Sequence, residues 1–348
     1  MTPTLARSVA RLARVGFVWL LCAGLWPWLA AQAQIHVPAL DGPAHDGRLA
    51  LPAYWFKADA PEPRPVVVAL HGCGGALDAK GQLSPIWPRY AGYFNAERIH
   101  FVVLDSFSPR AQTSICATPS NRRTVHEEDR REDVFAAIAW LARQPSVDAS
   151  RIMVVGWSHG AQTVLSVMDA SARYVQTQKL QPKAAAAFYP GCTKFLKMWD
   201  YRIQSPLLVM IGELDDWTLA SQCASLRDKV LRGKNGVPTG TATGGALGAA
   251  PANASGSASG AASGSPTGAA FDLVVYPDSY HGFDGLGAVR TLDNVGNTRS
   301  GKATVGGNPA AQKASHARLF DFVAAQMGEP LRLSHEERLK VRPSSLPK

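Results

Sequence analysis

From about residue 49 to residue 327, short apolar runs alternate with segments in which apolar residues recur every three or four positions. The runs 49–56, 66–70, 99–104, 152–155, 185–189, 207–211 and 271–276 have the length of strands. Val66-Val67-Val68-Ala69-Leu70 and Met153-Val154-Val155-Gly156 carry no polar side chain, as expected of central strands buried on both faces of a sheet. Between the runs, residues 132–143 repeat apolar side chains at Val134, Ile138 and Leu141. Residues 161–168, 219–231 and 309–327 also read as helices, the last with Leu319, Phe320 and Val323 on one side. Such alternation predicts an α/β protein: a mainly parallel sheet with helices on both faces. No internal repeat and no shift in composition marks a second domain, so residues 34–330 read as one domain.

Two segments fall outside this pattern. Arg7, Arg11 and Arg14 precede an apolar stretch, 15–31, that ends in Ala31-Gln32-Ala33. That order of basic, apolar and small-x-small regions predicts a secretory signal over 1–33, cleaved before Gln34. A permanent membrane anchor is the competing reading of 17 apolar residues, but Pro27 interrupts the helix and the cleavage site follows at the right distance. Cys22 is taken as part of the signal. The second segment, 235–270, is 36 residues without a charged or aromatic side chain. It lacks the apolar surface to offset its ordering entropy and is expected to be a disordered low-complexity insertion. The tail 331–348, with Pro343 and Pro347, is expected to be loosely held.

Composition excludes some classes. With 46% apolar and 18% charged residues, the chain is not intrinsically disordered, collagen-like or a coiled coil. The formal charge of +9 is dispersed: three positive charges belong to the signal arginines, and the tail sets Arg332, Arg338, Lys340, Arg342 and Lys348 against Glu336 and Glu337. No basic stripe with interleaved aromatics suggests nucleic acid, and no nucleic-acid partner is expected. Without Cys22, four cysteines remain, an even number suited to disulfides in an exported protein. Sequence-near pairing, Cys73 with Cys116 and Cys192 with Cys223, is expected, each bond contributing about 4 kcal/mol on the chain-entropy model. Four free buried thiols are the alternative. No two of these cysteines are close enough in sequence to suggest a zinc site, so no metal is expected.

The chemistry centres on Gly156-Trp157-Ser158-His159-Gly160, a G-x-S-x-G pattern. Its context gives it weight, because a predicted strand runs into it and a helical pattern follows at once. A nucleophile on a tight strand-to-helix turn needs small flanking residues, and the turn lifts Ser158 above the sheet edge. The His159 backbone amide then sits at a helix N-terminus, suited to stabilise an oxyanion. A serine hydroxyl needs a base, and the base an orienting carboxylate. In chain order both follow strands: Gly212-Glu213-Leu214-Asp215-Asp216-Trp217 after 207–211, and Asp278-Ser279-Tyr280-His281-Gly282-Phe283 after 271–276. Asp215, in preference to Asp216, is the expected acid and His281 the base. His316, in a predicted helix, and His335, in the tail, are poorer choices. Upstream, strand 66–70 ends in His71-Gly72-Cys73-Gly74-Gly75, where Cys73, or failing that Gly74, would supply a second oxyanion amide. A phosphate-binding loop is the alternative, but the following Lys-Ser/Thr of a P-loop is missing.

Leu70-His-Gly-Cys-Gly-Gly, Asp105-Ser-Phe-Ser-Pro-Arg110, Gly156-Trp-Ser-His-Gly, Gly212-Glu-Leu-Asp-Asp-Trp217 and Tyr280-His-Gly-Phe283, in this order, resemble the dienelactone hydrolase family of α/β-hydrolases over about 49–327. The resemblance implies an α/β-hydrolase fold, a triad, and cofactor-free hydrolysis of an ester or lactone. Arg110 looks like one of the two arginines with which the family's namesakes hold a substrate carboxylate. Trp157, Trp217 and Phe283, beside the triad along the chain, are further candidates for substrate contact. Two departures matter. The namesakes use cysteine where Ser158 stands, and Asp284 and Gly285 occupy the region of their second arginine. The namesakes are also cytoplasmic, whereas this chain reads as exported, periplasmic or secreted, with no stable membrane association once the signal is cleaved. The expected function is therefore that of a serine esterase acting on a small-molecule ester or lactone. A serine peptidase or acyltransferase on the same fold, or a non-catalytic binding protein, is the alternative.

Overall fold

The computed structural model describes residues 34–38, 50–233 and 270–344. The expected signal, all but the last residue of the expected insertion, and the final four residues lie outside the described residues. An eight-stranded sheet is built from β1 (Gln34–Pro38), β2 (Ala50–Phe56), β3 (Arg64–Leu70), β4 (His100–Leu104), β5 (Val147–Trp157), β6 (Ala184–Phe188), β7 (Leu207–Gly212) and β8 (Phe271–Tyr276). Its order is β1-β2-β4-β3-β5-β6-β7-β8. The strands from β4 to β8 run parallel, and β2 is antiparallel to both its neighbours. A separate hairpin pairs β9 (Arg290–Asp293) with β10 (Lys302–Val305). The helices are α1 (Ile86–Ala96), α2 (Glu127–Leu141), α3 (His159–Val167), α4 (Arg173–Gln176), α5 (Thr193–Lys197), α6 (Ala220–Arg232), α7 (Pro309–Met327) and α8 (His335–Leu339).

The pattern of uninterrupted apolar runs has a direct physical outcome. Every residue of β3, β4, β6 and β7 is buried, because helices cover both faces of the central sheet. At about 1.5–3 kcal/mol for each large aliphatic side chain removed from water, these strands form the rigid platform from whose C-terminal ends the site loops emerge.

Three elements differ from expectation. Helix α2 begins five residues before the predicted start, at Glu127, where the His126 N–H donates to Asp129 Oδ2 at 2.7 Å and three acids occupy the first turn. Its charged stretch is not a solvated face: Glu127, Arg130 and Asp133 are buried. The polar hairpin β9–β10, which has no apolar periodicity to announce it, is held from outside. Thr304 donates through its N–H and hydroxyl to Asp216 at 2.8 Å each, and Gly296 N–H donates to the Cys116 carbonyl at 2.8 Å. Finally, the expected loose tail packs as far as Ser344. Arg338, only 2% exposed, forms an ion pair with the equally buried Glu97 and lies over the Phe320 ring.

Candidate active site

Ser158 follows β5 directly and caps α3 with φ 54° and ψ −115°, a backbone conformation that non-glycine residues rarely adopt. The strain persists because its surroundings fix it: the Ser158 N–H donates to the Phe188 carbonyl at 2.9 Å, and α3 starts hard against the end of β3. A Cβ on Gly160 would lie 2.1 Å from the Leu70 carbonyl oxygen, so only glycine allows this approach. The outcome is a serine hydroxyl presented above the sheet edge.

The hydroxyl lies 2.9 Å from His281 Nε2, and His281 Nδ1 lies 2.8 Å from Asp215 Oδ2. The network assigns a proton on Nδ1, directed at the carboxylate, and leaves Nε2 as the acceptor from Ser158. Asp215 is 2% exposed and also accepts the N–H groups of Trp217 at 3.0 Å and Thr218 at 2.7 Å and the Thr218 hydroxyl at 2.8 Å. Its neighbour Asp216 lines the groove and holds Thr304 instead. His281 is fixed from the backbone as well, since its carbonyl accepts the Gly306 N–H at 3.0 Å and it bridges to Val305 of β10. The hairpin thus closes over the loop that carries His281.

Two residues expected to offer backbone N–H groups, Cys73 and His159, line the groove with Ser158. Cys73 lines the groove beside Ser158, and a Cβ on the preceding Gly72 would lie 3.4 Å from Ser158 Cβ. The His159 N–H opens α3. Neither N–H donates to another group among the described residues. Cys73 is bonded to Cys116 with Cα atoms 4.9 Å apart, and Cys192 to Cys223, 5.1 Å apart. The first bond anchors the His71–Gly75 turn, reinforced by Ile115 N–H donating to the Cys73 carbonyl at 2.8 Å. The second fastens the turn after β6 to α6.

Of the residues expected to touch substrate, Trp217 lines a groove of about 1050 Å³, with its ring 4.8 Å from that of His281. The other three stand elsewhere. Arg110 is held by Asp133, with two bonds of 2.8 Å, and by the Ser106 carbonyl, so its guanidinium is committed to α2. Trp157 is 3% exposed, stacks on Phe188 and donates to Asp284. Phe283 is fully buried against Phe188, Tyr189 and Tyr276. Both aromatic side chains point into the core, where Phe188, Tyr189 and Tyr276 pack against them and Asp284 accepts the Trp157 indole N–H. Gly74 is not among the groove residues. Most of the residues that line the groove are polar, among them Ser120, Arg123, Gln162, Lys194, Asn297 and Arg299. Among the described residues, no group of three or more His, Cys, Asp or Glu side chains is arranged to hold a metal ion.

Sequence reasoning missed three functional neighbours. Thr218 bonds Asp215 and lies 3.2 Å from His281 Nδ1. Asp284 is a buried hub that accepts from Tyr90, Tyr189 and Trp157 at 2.6, 2.8 and 2.9 Å. Arg130, fully buried, donates to His159 Nδ1 at 2.7 Å and to the His71 carbonyl at 2.8 Å. Burial first, and the Arg130 cation second, hold both His71 and His159 well below the usual imidazole range, so both are neutral near pH 7. A Thr three residues after an acid was a readable sign of an N-cap-like turn. Nothing in the sequence distinguished Arg130 from a surface helix arginine.

The model of the dienelactone hydrolase family matches residues 51–237, more than half of the chain. The chain belongs to the dienelactone hydrolase family. It is accordingly a hydrolase with the α/β-hydrolase fold. No curated protein matches it significantly. Among solved structures, Thermogutta terrifontis esterase 2 phosphorylated by paraoxon superposes with a TM-score of 0.52 at 15% identity, over 89% of this chain and 99% of that one. The same esterase phosphoramylated by tabun gives 0.51 at 15% identity, with the same coverage. A Klebsiella pneumoniae structure provisionally named a dienelactone hydrolase gives 0.50 at 14% identity, over 84% of this chain and 97% of that one. At such identities the likeness is one of fold.

Proposed function

We propose that this family member is an exported serine hydrolase that cleaves a small-molecule carboxylic ester or lactone. Ser158 is the nucleophile, His281 the general acid and base, and Asp215 the orienting acid. The observation that carries this reading is the continuous hydrogen-bonded chain Ser158–His281–Asp215, beginning at a strained serine. In the acylation step Ser158 Oγ adds to the acyl carbon while its proton passes to His281 Nε2. The carbonyl oxygen, now negative, accepts hydrogen bonds from the N–H groups of Cys73 and His159. The carbon–oxygen bond to the alcohol then breaks, and the departing oxygen takes the proton from His281. A water molecule repeats the sequence on the acyl-enzyme, giving up its proton to His281, and the acid leaves with Ser158 reprotonated. Asp215 stabilises the imidazolium formed in each half.

Thermogutta terrifontis esterase 2 is phosphoramylated by tabun and phosphorylated by paraoxon, which makes an organophosphorus reagent a suitable probe for the nucleophile proposed here. Export rests on the pattern of residues 1–33 and is compatible with the two disulfides, which persist in oxidising compartments. Among the described residues, no helix is long and apolar enough to cross a membrane. The test is Ser158→Ala with short-chain aryl esters. The variant should fold as the wild type and lose at least about 10³-fold in kcat. Retention of a tenth of the wild-type kcat would refute the assignment.

A further inference from the structure

The two oxyanion donors belong to different elements: Cys73 to the turn after β3, His159 to the start of α3. The ladder between β3 and β5 ends at Leu70 and Gly156. Beyond that point, the distance between the donors must be set by something other than the sheet. Arg130 reaches both sides from α2. One amino group donates to the His71 carbonyl, two residues before Cys73, and the other donates to the imidazole of His159 itself. Phe107 fixes the guanidinium from one side: its ring centroid is 5.1 Å from the Arg130 carbon and 4.4 Å from the His71 ring.

We infer that Arg130 is a positioning residue that holds the two halves of the oxyanion hole at a fixed separation. The inference rests on the reading of Ser158 as the nucleophile. A guanidinium suits the task because it presents two donors in one rigid plane, whereas the donors of an ammonium rotate about a single point on a flexible stem and do not fix the spacing of two acceptors. The choice of acceptors is telling. Among the described residues no carboxylate forms an ion pair with Arg130: Asp133 is bound to Arg110, and Glu127 to Lys194. A fully buried cation without a carboxylate partner is costly. Here both of its bonds go to neutral groups, one on the donor-bearing His159 and the other two residues before Cys73. The neutral state of His159 fits this arrangement, since only a neutral imidazole can accept at Nδ1. A displacement of about 1 Å in such a site can cost on the order of 100-fold in rate.

The test compares Arg130→Lys, His159→Leu, His159→Gln and the double variant Arg130→Lys/His159→Leu with the wild type and Ser158→Ala, on an aryl ester and its thionoester. Sulfur is the poorer hydrogen-bond acceptor and lies farther from carbon. A well-formed oxyanion hole therefore favours the oxygen ester, and a loosened one favours it less. Arg130→Lys should lower kcat about 10- to 100-fold on the oxygen ester, with KM within about threefold, and should shrink the preference over the thionoester. His159→Leu should behave alike, and the double variant should be no worse than the lower single one. His159→Gln, which offers an acceptor to Arg130, should keep at least about ten times the kcat of His159→Leu. If Arg130→Lys fails to fold, the two His159 variants decide. Folded variants within threefold of wild-type kcat would overturn the inference, as would a loss of rate with an unchanged ester-to-thionoester preference. Wild-type activity in Ser158→Ala would instead locate the failure in the nucleophile assignment and remove the oxyanion hole with it.

Discussion

Two buried carboxylates lie near Ser158, and they make opposite use of similar surroundings. Asp215 is 2% exposed and Asp284 is 1% exposed; each accepts hydrogen bonds from at least three donors. The partners differ in kind. Asp215 faces the imidazole of His281, which leads to the Ser158 hydroxyl and the open groove. Asp284 faces two phenols and an indole. Burial first, and the Asp284 charge second, push the Tyr90 and Tyr189 hydroxyls well above their usual range, so neither gives up a proton near neutrality. Burial and satisfied hydrogen bonds are thus common to both sites. What separates the carboxylate proposed as catalytic from the structural one is its partner: an imidazole in contact with Ser158 and the groove, against two phenols and an indole.

The largest expected effect breaks the pair apart by rate. Asp215→Asn should lower kcat about 10³- to 10⁴-fold, because an amide neither stabilises the imidazolium nor enforces its tautomer. Asp216→Asn should cost less than about tenfold, since its carboxylate serves Thr304. Steady-state kinetics on an aryl ester would check both, and the reverse ranking would shift the acid by one residue. Asp284→Asn should show the complementary profile: a loss of about 2–4 kcal/mol in stability by urea denaturation, with kcat within about tenfold of wild type. An amide cannot accept from all three donors, and what it disturbs is the packing of Trp157 and Tyr189 behind the site.

The two disulfides sharpen the same contrast. Cys73→Ala/Cys116→Ala frees the turn that presents the Cys73 N–H and should lower kcat about 10-fold, as well as reducing stability. Cys192→Ala/Cys223→Ala, which loosens α6 against the turn after β6, should reduce stability by a similar amount with a smaller change in kcat. Equal effects on kcat would mean that the Cys73 bond has no special relation to the chemistry.

A smaller effect concerns pH. His316, buried beside Tyr90, is held down to about 4 chiefly by desolvation, and His71 and His159 are lowered in the same direction. Each is neutral when folded and takes up a proton on unfolding. Their contribution is therefore complete above the unfolded value of 6.5 and is lost as pH falls from there through the folded values. Tm should decline as pH drops from about 7 to about 4, and His316→Gln should flatten that decline. An unchanged slope would show that His316 is protonated in the folded state.

What was legible in the sequence followed from burial. The apolar runs at β3, β6 and β7 and the residue order Ser158, Asp215, His281 could be read because fully covered strands tolerate few polar residues and loops after strands carry the chemistry. Residues whose role depends on tertiary partners could not be read. Arg130 lies in a run of charges that resembles a solvated helix face; only the approach of β3 and α3 turns it inward. Trp157 and Phe283 were placed by proximity along the chain, yet nearness in sequence to Ser158 or His281 does not set which way a side chain turns, and both are packed in the core. The β9–β10 hairpin has no apolar face, and its position depends on Asp216, Trp217 and Cys116.

The central claim is that Ser158 is the nucleophile activated by His281. Reaction of the intact protein with a fluorophosphonate, followed by peptide mass spectrometry, addresses it directly. The account predicts a single adduct on Ser158, formed in parallel with loss of esterase activity, absent in Ser158→Ala and at least about 10²-fold slower in His281→Ala. An adduct on another residue, or inhibition that leaves Ser158 unmodified, would contradict it.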